Sequence, residues 1–246
     1  MGVAQIHINQ DTDISITVDV QPTFMPGGGL PVAGGDEIVP TVLHCESLFY
    51  TERRFATLDR HPLGHISLAS SYFSLPPMTL LDLDRIASWD RERNGIAGHA
   101  KFSFGELRAY LSKVGTQVLW PDHAIEGTKE SFLHPSLHGI RYMVAQVKGM
   151  DPLCDSYSGI TDALGRPTGL GDALMKSTGA MRAFVWGLAF DFCVGRTAID
   201  AAKLGFKTYV VRDATRSVDL PGSVGKMEAD LAAAGVRTIT SSDLTR

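Results

Sequence analysis

The sequence predicts a three-layer α/β/α domain with a central, mainly parallel sheet of roughly six strands. Short apolar runs rich in β-branched residues alternate with segments of helical spacing along the chain. Several of these runs are apolar on both faces, which is typical of parallel strands covered by helices on both sides. The chain has 246 residues and is 44% hydrophobic, and α/β folds of up to about 250 residues often form one domain.

The first half of the chain contains two predicted strands and one predicted helix. Residues 14–20 alternate β-branched and polar side chains before a mostly apolar end, which predicts a strand. A loop rich in glycine and proline follows at 22–35, and residues 36–50 carry apolar side chains at helical spacing. Residues 55–58 predict a second short strand that ends at Asp59.

The second half continues the same alternation. Its predicted helices, 194–204 and 224–234, are each followed by a glycine that would end the helix, Gly205 and Gly235. Its predicted strands are apolar runs at residues 142–147, 183–189, 208–211 and 236–240. With the two strands of the first half, these runs supply the whole predicted sheet.

The stretch 69–117 departs from this rhythm. Residues 78–88 and 105–113 predict one helix each, with Asn94-Gly95 as a turn between them. A loop of this length without secondary structure would be uncommon in a compact domain. We therefore predict a single domain over residues 1–246 that contains a helical insertion at about 69–117.

Charge and composition exclude several classes of protein. With 23 basic and 27 acidic residues the net charge is −4, so the chain lacks the basic surface expected of a nucleic-acid-binding protein. No apolar run approaches the ~20 residues that cross a bilayer, and residues 1–13 lack the pattern of an export signal. Three cysteines are too few and too scattered for a disulfide framework or a Cys-rich zinc site. We expect a cytoplasmic protein with neither a membrane nor a nucleic-acid partner.

Polar residues with chemical potential follow four of the predicted strands. In an open parallel sheet, sites form outside the carboxyl ends of the strands, so these side chains are expected to lie close together. A single acid at a strand end carries little weight, but a set of acids, bases and a thiol is hard to produce from packing alone. The set consists of Asp19, Asp59, His61, Lys148, Asp191 and Cys193.

Cys193 is the candidate nucleophile because it precedes a predicted helix, whose N-terminal amides and dipole favour a thiolate. Lys148 would favour the ionised thiol, and Asp19 could take its proton and later return it to a leaving group. Backbone N–H groups near Ala189 and Cys193 could form an oxyanion hole. Taken singly, these residues would be read as a buried structural cysteine, a surface lysine and a turn residue.

A second candidate site combines one carboxylate with three imidazoles. Asp59, His61 and His65 lie within seven residues, and His123 follows the Trp-Pro-Asp sequence further on. Such a set of nitrogen and oxygen ligands suits Zn²⁺, Fe²⁺ or Mn²⁺ without selecting among them. The alternative is a loop held by histidine hydrogen bonds.

The other two cysteines, Cys45 and Cys154, have no activating neighbour and are interpreted as structural.

Taken together, these segments resemble the nicotinamidases of the isochorismatase-like cysteine hydrolase superfamily. The resemblance covers about residues 14 to 240 apart from the insertion, and as a set its motifs are highly specific. The matching segments are VDVQPTF (18–24), GGGLPV (27–32), DRHPLGHIS (59–67), LWPDH (119–123), GT (127–128), KG (148–149), DSYS (155–158), GLAFDFCV (187–194), TA (197–198) and DA (200–201).

The resemblance implies a role for each catalytic candidate. Asp19 would be the general acid and base, Lys148 would orient and ionise the thiol, and Cys193 would attack the carboxamide of nicotinamide. The products would be nicotinic acid and ammonia, formed through a thioester in NAD salvage or nicotinamide breakdown. The resemblance also implies a cis peptide between Leu188 and Ala189 that helps shape the oxyanion hole.

It further implies one divalent metal, held by Asp59, His61, His65 and His123 with water, which would bind the pyridine nitrogen of the substrate. Zinc is the first expectation, with iron or manganese as alternatives. The aromatic walls of the pocket would be Phe24, Trp120 and Tyr157.

Three features depart from the family pattern. Ala124 replaces a cysteine found in many relatives, Lys129-Glu130-Ser131 replaces small residues, and the insertion separates two of the metal-ligand segments. The insertion could cap the pocket, widen it or mediate homo-oligomerisation. The alternatives are a related amidohydrolase acting on a substituted pyridine carboxamide or another small amide or ureide, and a non-catalytic protein of the same fold. A non-catalytic protein would be expected to have lost a member of the triad.

Overall fold

The computed structural model describes residues 5–89, 95–177 and 179–246. The strands are β1 (Ile6–His7), β2 (Asp13–Val18), β3 (Arg54–Asp59), β4 (Thr79–Asp82), β5 (Thr116–Leu119), β6 (Val144–Lys148), β7 (Arg182–Leu188), β8 (Lys207–Arg216), β9 (Arg237–Ile239) and β10 (Leu244–Thr245). The helices are α1 (Val39–Ser47), α2 (Leu83–Ala87), α3 (Phe104–Val114), α4 (Leu170–Lys176), α5 (Gly195–Lys203) and α6 (Ser223–Ala233). None of the helices in the described ranges is long and apolar enough to span a bilayer.

Six strands form the central sheet in the order β6-β3-β2-β7-β8-β9, and every neighbouring pair is parallel. Helix α1 covers one face of the sheet, and helices α4, α5 and α6 cover the other. Ile14 and Ile16 of β2 pack toward the three helices, whereas Ser15 and Thr17 contact Glu46 of α1. This arrangement confirms the predicted three-layer fold and its parallel sheet.

Outside the segment 69–117, the predicted elements are observed with different ends, whereas α4, β1 and β10 have no counterpart among the predictions. The strand predicted at 208–211 is β8, which continues to Arg216 and shifts its register against β7 between Val185 and Gly187. The helix predicted at 36–50 begins as a 3-10 turn before α1. Such boundaries depend on caps and pairing partners, which lie outside the local pattern.

Most residues of a separate hydrophobic cluster lie in the segment 69–117, among them Leu81, Leu107 and Leu111, and Ile66, Leu119 and Cys154 complete this cluster. Helix α3 confirms the helix predicted at 105–113. A capping box between Ser103 and the third helical residue begins this helix.

The prediction of a helix at 78–88 is wrong for its first part, because β4 pairs there antiparallel with β5. Asp82 then begins the short helix α2 by accepting a hydrogen bond from the backbone N–H of Arg85. Asn94 of the predicted turn lies outside the described residues.

The carboxyl ends of the inner strands meet at one edge of the sheet. Asp19 follows β2, Asp59 ends β3 and Lys148 ends β6, and the last two are partners in register. The chain moves outward from β2 to β3 and β6 and then returns to β7 on the other side of β2. Such a reversal of strand order leaves a crevice outside the sheet edge, where ligands of α/β proteins bind.

Candidate active site

Cys193 lies in a π-helical turn, Phe190–Val194, that connects β7 to α5. The turn places the largely buried thiol at the start of the helix. Gly195 is required there, because a Cβ atom would lie 2.7 Å from the carbonyl oxygen of Phe190. The peptide between Leu188 and Ala189 is cis, as the resemblance implies.

The Lys148 ammonium lies at the centre of the catalytic candidates. Its Nζ is 3.0 Å from Oδ2 of Asp19, 2.8 Å from Oδ1 of Asp59 and 3.4 Å from Sγ of Cys193. It also donates a hydrogen bond of 2.9 Å to the carbonyl oxygen of Ser156, a contact that the sequence did not predict. The structure thus brings the three predicted catalytic residues together around one cation.

This cation is shared unequally between the two carboxylates. Burial raises the pKa of Asp19, and the attraction of Lys148 does not fully offset it. Burial acts in the same direction on Asp59, but His61 and Lys148 together hold the pKa of Asp59 well below its usual range. The Thr57 hydroxyl donates a hydrogen bond of 2.6 Å to Oδ1 of Asp19. Asp19 is therefore suited to carry a proton, while Asp59 remains a carboxylate.

Burial also raises the pKa of the Cys193 thiol well above its usual value, although Lys148 acts in the opposite direction. The pKa of Lys148 is raised, because the two carboxylates outweigh the effect of burial. The thiol therefore needs a nearby base to form the nucleophilic thiolate, and Asp19 shares its lysine partner.

Asp59, His61 and His123 form a buried cluster whose candidate ligand atoms all lie within 4.8 Å of one another. Oδ2 of Asp59 is 3.0 Å from Nε2 of His61 and 3.2 Å from Nε2 of His123. The Nδ1 atoms of the two rings face the carbonyl oxygens of Gly149 and Pro121, at 3.1 and 2.8 Å. Each ring therefore donates through Nδ1 when neutral and directs an Nε2 lone pair at the carboxylate, so these residues fit a divalent cation.

His65 lies beside this cluster, with its ring centre 4.4 Å from that of His61, but both of its nitrogens are engaged elsewhere. Nδ1 is 2.8 Å from Oγ of Ser67, and Nε2 is 3.2 Å from the carbonyl oxygen of Cys154. Burial and the neighbouring His61 lower the pKa of His65 to about 3, so the ring is neutral. The structure thus does not join His65 to the three converging ligands.

An open cavity of about 360 Å³ is lined by Lys148 and Cys193 of the triad and by all three residues of the carboxylate–histidine cluster. The three predicted aromatic residues line it: Phe24, Trp120 and Tyr157. Five further lining residues had no predicted role: Leu30, Asp155, Ser156 and Phe192, which lie in the segments that resemble the family, and Val218, which does not. The Phe192 ring packs edge-on against Trp120 at 4.9 Å, which completes an aromatic wall.

Asp191, noted in the sequence only as a polar strand-end residue, holds another part of this wall. Its carboxylate accepts hydrogen bonds of 2.9 Å from the backbone N–H groups of Val218 and Asp219 and one of 2.6 Å from the Ser223 hydroxyl. It thereby fixes the loop that places Val218 against the cavity.

Comparisons with known proteins agree on one group. Residues 168–243 match the family model of the isochorismatase domain. The nicotinamidase of Acinetobacter baylyi is 35% identical over 230 residues, which cover 93% of this chain and 92% of that protein.

Solved structures of similar proteins extend over nearly the whole chain. A nicotinamidase and pyrazinamidase of Acinetobacter baumanii has a TM-score of 0.78 at 35% identity and covers 96% of this chain and 98% of its own. PnC1 of L. infantum, in complex with nicotinate, has a TM-score of 0.74 at 30% identity and covers 98% of both chains. A zinc complex of the pyrazinamidase of Pyrococcus horikoshii has a TM-score of 0.63 at 26% identity and covers 93% of this chain and 98% of its own.

Proposed function

The chain belongs to the nicotinamidase family, and on this premise we propose that it hydrolyses nicotinamide to nicotinic acid and ammonia. The observation that carries the proposal is the position of Lys148, whose Nζ lies within 3.4 Å of the Cys193 thiol and within 3.0 Å of two buried carboxylates. Such an arrangement suits covalent catalysis by a thiol that needs both activation and a proton carrier.

The first half of the reaction forms a thioester. Asp19, as a carboxylate, takes the proton of the Cys193 thiol, and the sulfur attacks the carboxamide carbon. Backbone N–H groups of Ala189 and Cys193, both residues of the cavity lining, stabilise the oxyanion. Asp19 then returns the proton to the departing nitrogen, so that the C–N bond breaks and ammonia leaves. The raised pKa of Asp19 suits a group that holds this proton between the two transfers.

The second half hydrolyses the thioester. Asp19 takes a proton from a water molecule while the oxygen of that water attacks the acyl carbon. The carbon–sulfur bond breaks, nicotinic acid is released, and the proton held by Asp19 passes to the Cys193 sulfur. The Lys148 ammonium keeps its charge throughout and holds Asp19 and Cys193 at the distances that both transfers require.

We also propose that Asp59, His61 and His123 hold one divalent metal, with zinc as the first expectation and iron or manganese as alternatives. The zinc complex of the P. horikoshii pyrazinamidase supports zinc. His65 remains a proposed fourth ligand, which requires its Nε2 to leave the carbonyl oxygen of Cys154. The bound ion would supply a Lewis acid for the pyridine nitrogen of nicotinamide.

The aromatic residues Phe24, Trp120 and Tyr157 are proposed to enclose the pyridine ring of the substrate.

The three cysteines are free and buried, which supports the cytoplasmic location expected from the sequence.

The test is ammonia release from nicotinamide by three samples: the native chain, Cys193→Ala, and native chain treated with a chelator. We expect turnover to be lost in the second and third samples. Cys45→Ala is the matched control, because it also removes a buried thiol, and it should keep native turnover. Full activity of Cys193→Ala would contradict the covalent mechanism, and full activity of the chelator-treated sample would contradict the proposed role of the metal.

A further inference from the structure

A chain of hydrogen bonds leads from the inserted segment to the wall of the cavity. The hydroxyl of Tyr110, on α3, donates a hydrogen bond of 2.5 Å to Oε1 of Gln117, on β5. Nε2 of Gln117 donates one of 2.7 Å to Oδ2 of Asp155. Tyr110, Gln117 and Asp155 are at most 4% exposed, so these groups depend on one another for hydrogen bonds.

The network continues from Gln117 to the aromatic wall. Its Nε2 lies 3.5 Å from the Tyr157 hydroxyl, which accepts a hydrogen bond of 3.1 Å from Nε1 of Trp120. Asp155, Tyr157 and Trp120 all line the cavity, whereas Gln117 lies behind them. The Gln117 amide therefore lies directly behind Asp155 and Tyr157, and Tyr157 in turn contacts Trp120.

Tyr110 determines which way this amide faces. Burial raises the pKa of Tyr110, so its hydroxyl remains protonated and acts as the donor. The hydroxyl requires the oxygen of Gln117 as its acceptor, which leaves the NH₂ group for Oδ2 of Asp155 and, at 2.8 Å, the carbonyl oxygen of Val118, with the Tyr157 hydroxyl at the limit of hydrogen-bond distance. A reversed amide would turn its oxygen toward the Asp155 carboxylate, and two acceptors cannot satisfy each other.

We propose that Gln117 is a positioning residue for substrate binding, and that Tyr110 acts through it by fixing the direction of its amide. Gln117 fixes Asp155 by a hydrogen bond of 2.7 Å and lies 3.5 Å from the Tyr157 hydroxyl, which in turn holds the indole of Trp120 where the pyridine ring is to bind. The inserted segment thus acts on substrate affinity through a buried hydrogen-bond chain. This inference rests on the proposed function, since it concerns the binding of nicotinamide.

The experiment measures kcat and KM for nicotinamide in single variants of the metal-loaded protein. Gln117→Met keeps the length of the side chain but removes its polar atoms, and we expect KM to rise about tenfold, with a smaller change in kcat. Tyr110→Phe removes only the hydroxyl, and we expect KM to rise about threefold. The rate of Cys193 alkylation by iodoacetamide should stay within about twofold of the native rate in both variants, because the triad is intact.

Tyr72→Phe is the matched control. Tyr72 lies in the same hydrophobic core and also donates a buried hydroxyl hydrogen bond, of 2.6 Å, to the carbonyl oxygen of Ile66. Tyr72 makes no hydrogen bond to Gln117 in the network described above. We expect it to lower the melting temperature as much as Tyr110→Phe does while leaving KM at the native value. A KM increase as large as that of Tyr110→Phe would show that general weakening of this core, rather than Gln117, controls binding.

The double variant separates positioning from packing. If Tyr110 acts through Gln117, adding Tyr110→Phe to Gln117→Met should raise KM no further. Additive effects, or native KM in Gln117→Met, would overturn the inference while the activity of the native chain still supported the proposed function. A native chain that neither binds nor hydrolyses nicotinamide would instead contradict the proposed function itself. Should Gln117→Met fail to fold, Tyr110→Phe and its control decide the question alone.

Discussion

Strand β2 contacts two buried carboxylate clusters that have different partners. Oδ2 of Asp19, directly after the strand, lies 3.0 Å from the ammonium of Lys148. Glu46 of α1 instead accepts hydrogen bonds from the hydroxyls of Thr17 and Ser15 on the strand itself. Both carboxylates are inaccessible to solvent, so burial alone cannot account for their different roles.

The partners decide the charge of each cluster. Burial raises the pKa of Glu46 to about 7, because two hydroxyls and Arg54, whose Nε is 3.5 Å away, compensate only partly. At the other cluster Lys148 contacts both Asp59 and Asp19, and the pKa of Asp59 is held well below its usual range. Asp59 thus remains ionised because His61 and Lys148 both contact it, whereas Lys148 alone at Asp19, and two hydroxyls with a more distant Arg54 at Glu46, leave the pKa of those carboxyls raised.

Removing the cation should have the largest effect. Lys148→Met leaves Asp19 and Asp59 buried without their shared cation, and we expect the free energy of unfolding to fall by about 3–5 kcal/mol. Turnover should fall by at least about a thousandfold, because the thiol loses its only contacting cation in the described site. Urea denaturation and ammonia release measure the two effects.

The control for this variant is Lys226→Met, which removes a lysine that pairs with Asp230 on the exposed surface of α6. This substitution should lower the free energy of unfolding by less than about 1 kcal/mol, since exposed ion pairs contribute little to stability. An equal loss of unfolding free energy in the two variants would mean that burial of Lys148 and its carboxylates does not increase the effect of removing the cation.

Glu46 should give the protein a pH-dependent stability that opposes acid denaturation. Its pKa is raised from 4.5 to about 7 on folding, so the protonated form is favoured in the folded state. This contribution to the free energy of unfolding, about 3 kcal/mol, is fully present below the pKa of 4.5 that Glu46 has in the unfolded chain. It is lost as the pH rises to about 7, the pKa in the folded protein.

The measurement compares the free energy of unfolding at acid and at slightly alkaline pH for the native chain and for Glu46→Gln. The variant should lack this component of the pH dependence, whereas Glu37→Gln, at an exposed glutamate, should keep it. Identical pH profiles of native chain and Glu46→Gln would show that hydroxyl partners are sufficient to keep this carboxylate ionised.

The clusters also differ in how far the sequence reveals them. Asp19, Asp59, Lys148 and Cys193 could be predicted to meet because the carboxyl ends of parallel strands share one edge of a sheet. Glu46 could not, since a glutamate in a predicted helix is ordinarily a solvent-exposed residue. Its contacts with β2 depend on how the helix packs on the sheet, which local periodicity does not specify.

The same limit applies inside the site and in the inserted segment. The side chain of His65 belongs to the expected ligand set by spacing, yet its hydrogen bonds to Ser67 and Cys154 depend on ring orientation. Likewise, β4 was predicted as helix because its pairing partner β5 lies more than thirty residues further along the chain. Nothing in the sequence indicates that Gln117 is buried and hydrogen-bonded, since a single polar residue in a strand is ordinarily exposed.

Asp191 offers a third case, in which neutral N–H and O–H donors surround a buried carboxylate. Asp191→Asn turns an NH₂ group toward one of these donors, so at least one hydrogen bond is lost. We expect a stability loss of about 1–3 kcal/mol and a higher KM, because the released loop carries Val218 of the cavity wall.

The control is Asp219→Asn, the same substitution on the same loop at an exposed residue. Asn also tolerates the positive φ of 63° that Asp219 adopts, so stability and KM should both stay at native values. If Asp191→Asn also left stability and KM at native values, the hydrogen bonds of Asp191 to the loop would not be what holds Val218 in place.

The smallest effect is expected where charges pair at the surface. Arg166 contacts Asp162 and Asp151 at 2.6 Å each, closer than Lys148 contacts its carboxylates, but its side chain is 51% exposed. Water and salt screen such pairs, so Arg166→Gln should cost less than about 1 kcal/mol in urea denaturation, and less still in 1 M salt. The backbone N–H groups of Leu164 and Arg166 would still bind Asp162 and keep the turn closed. A loss comparable to that of Lys148→Met would show that contact distance, rather than exclusion of water, determines the strength of the ion pairs in this protein.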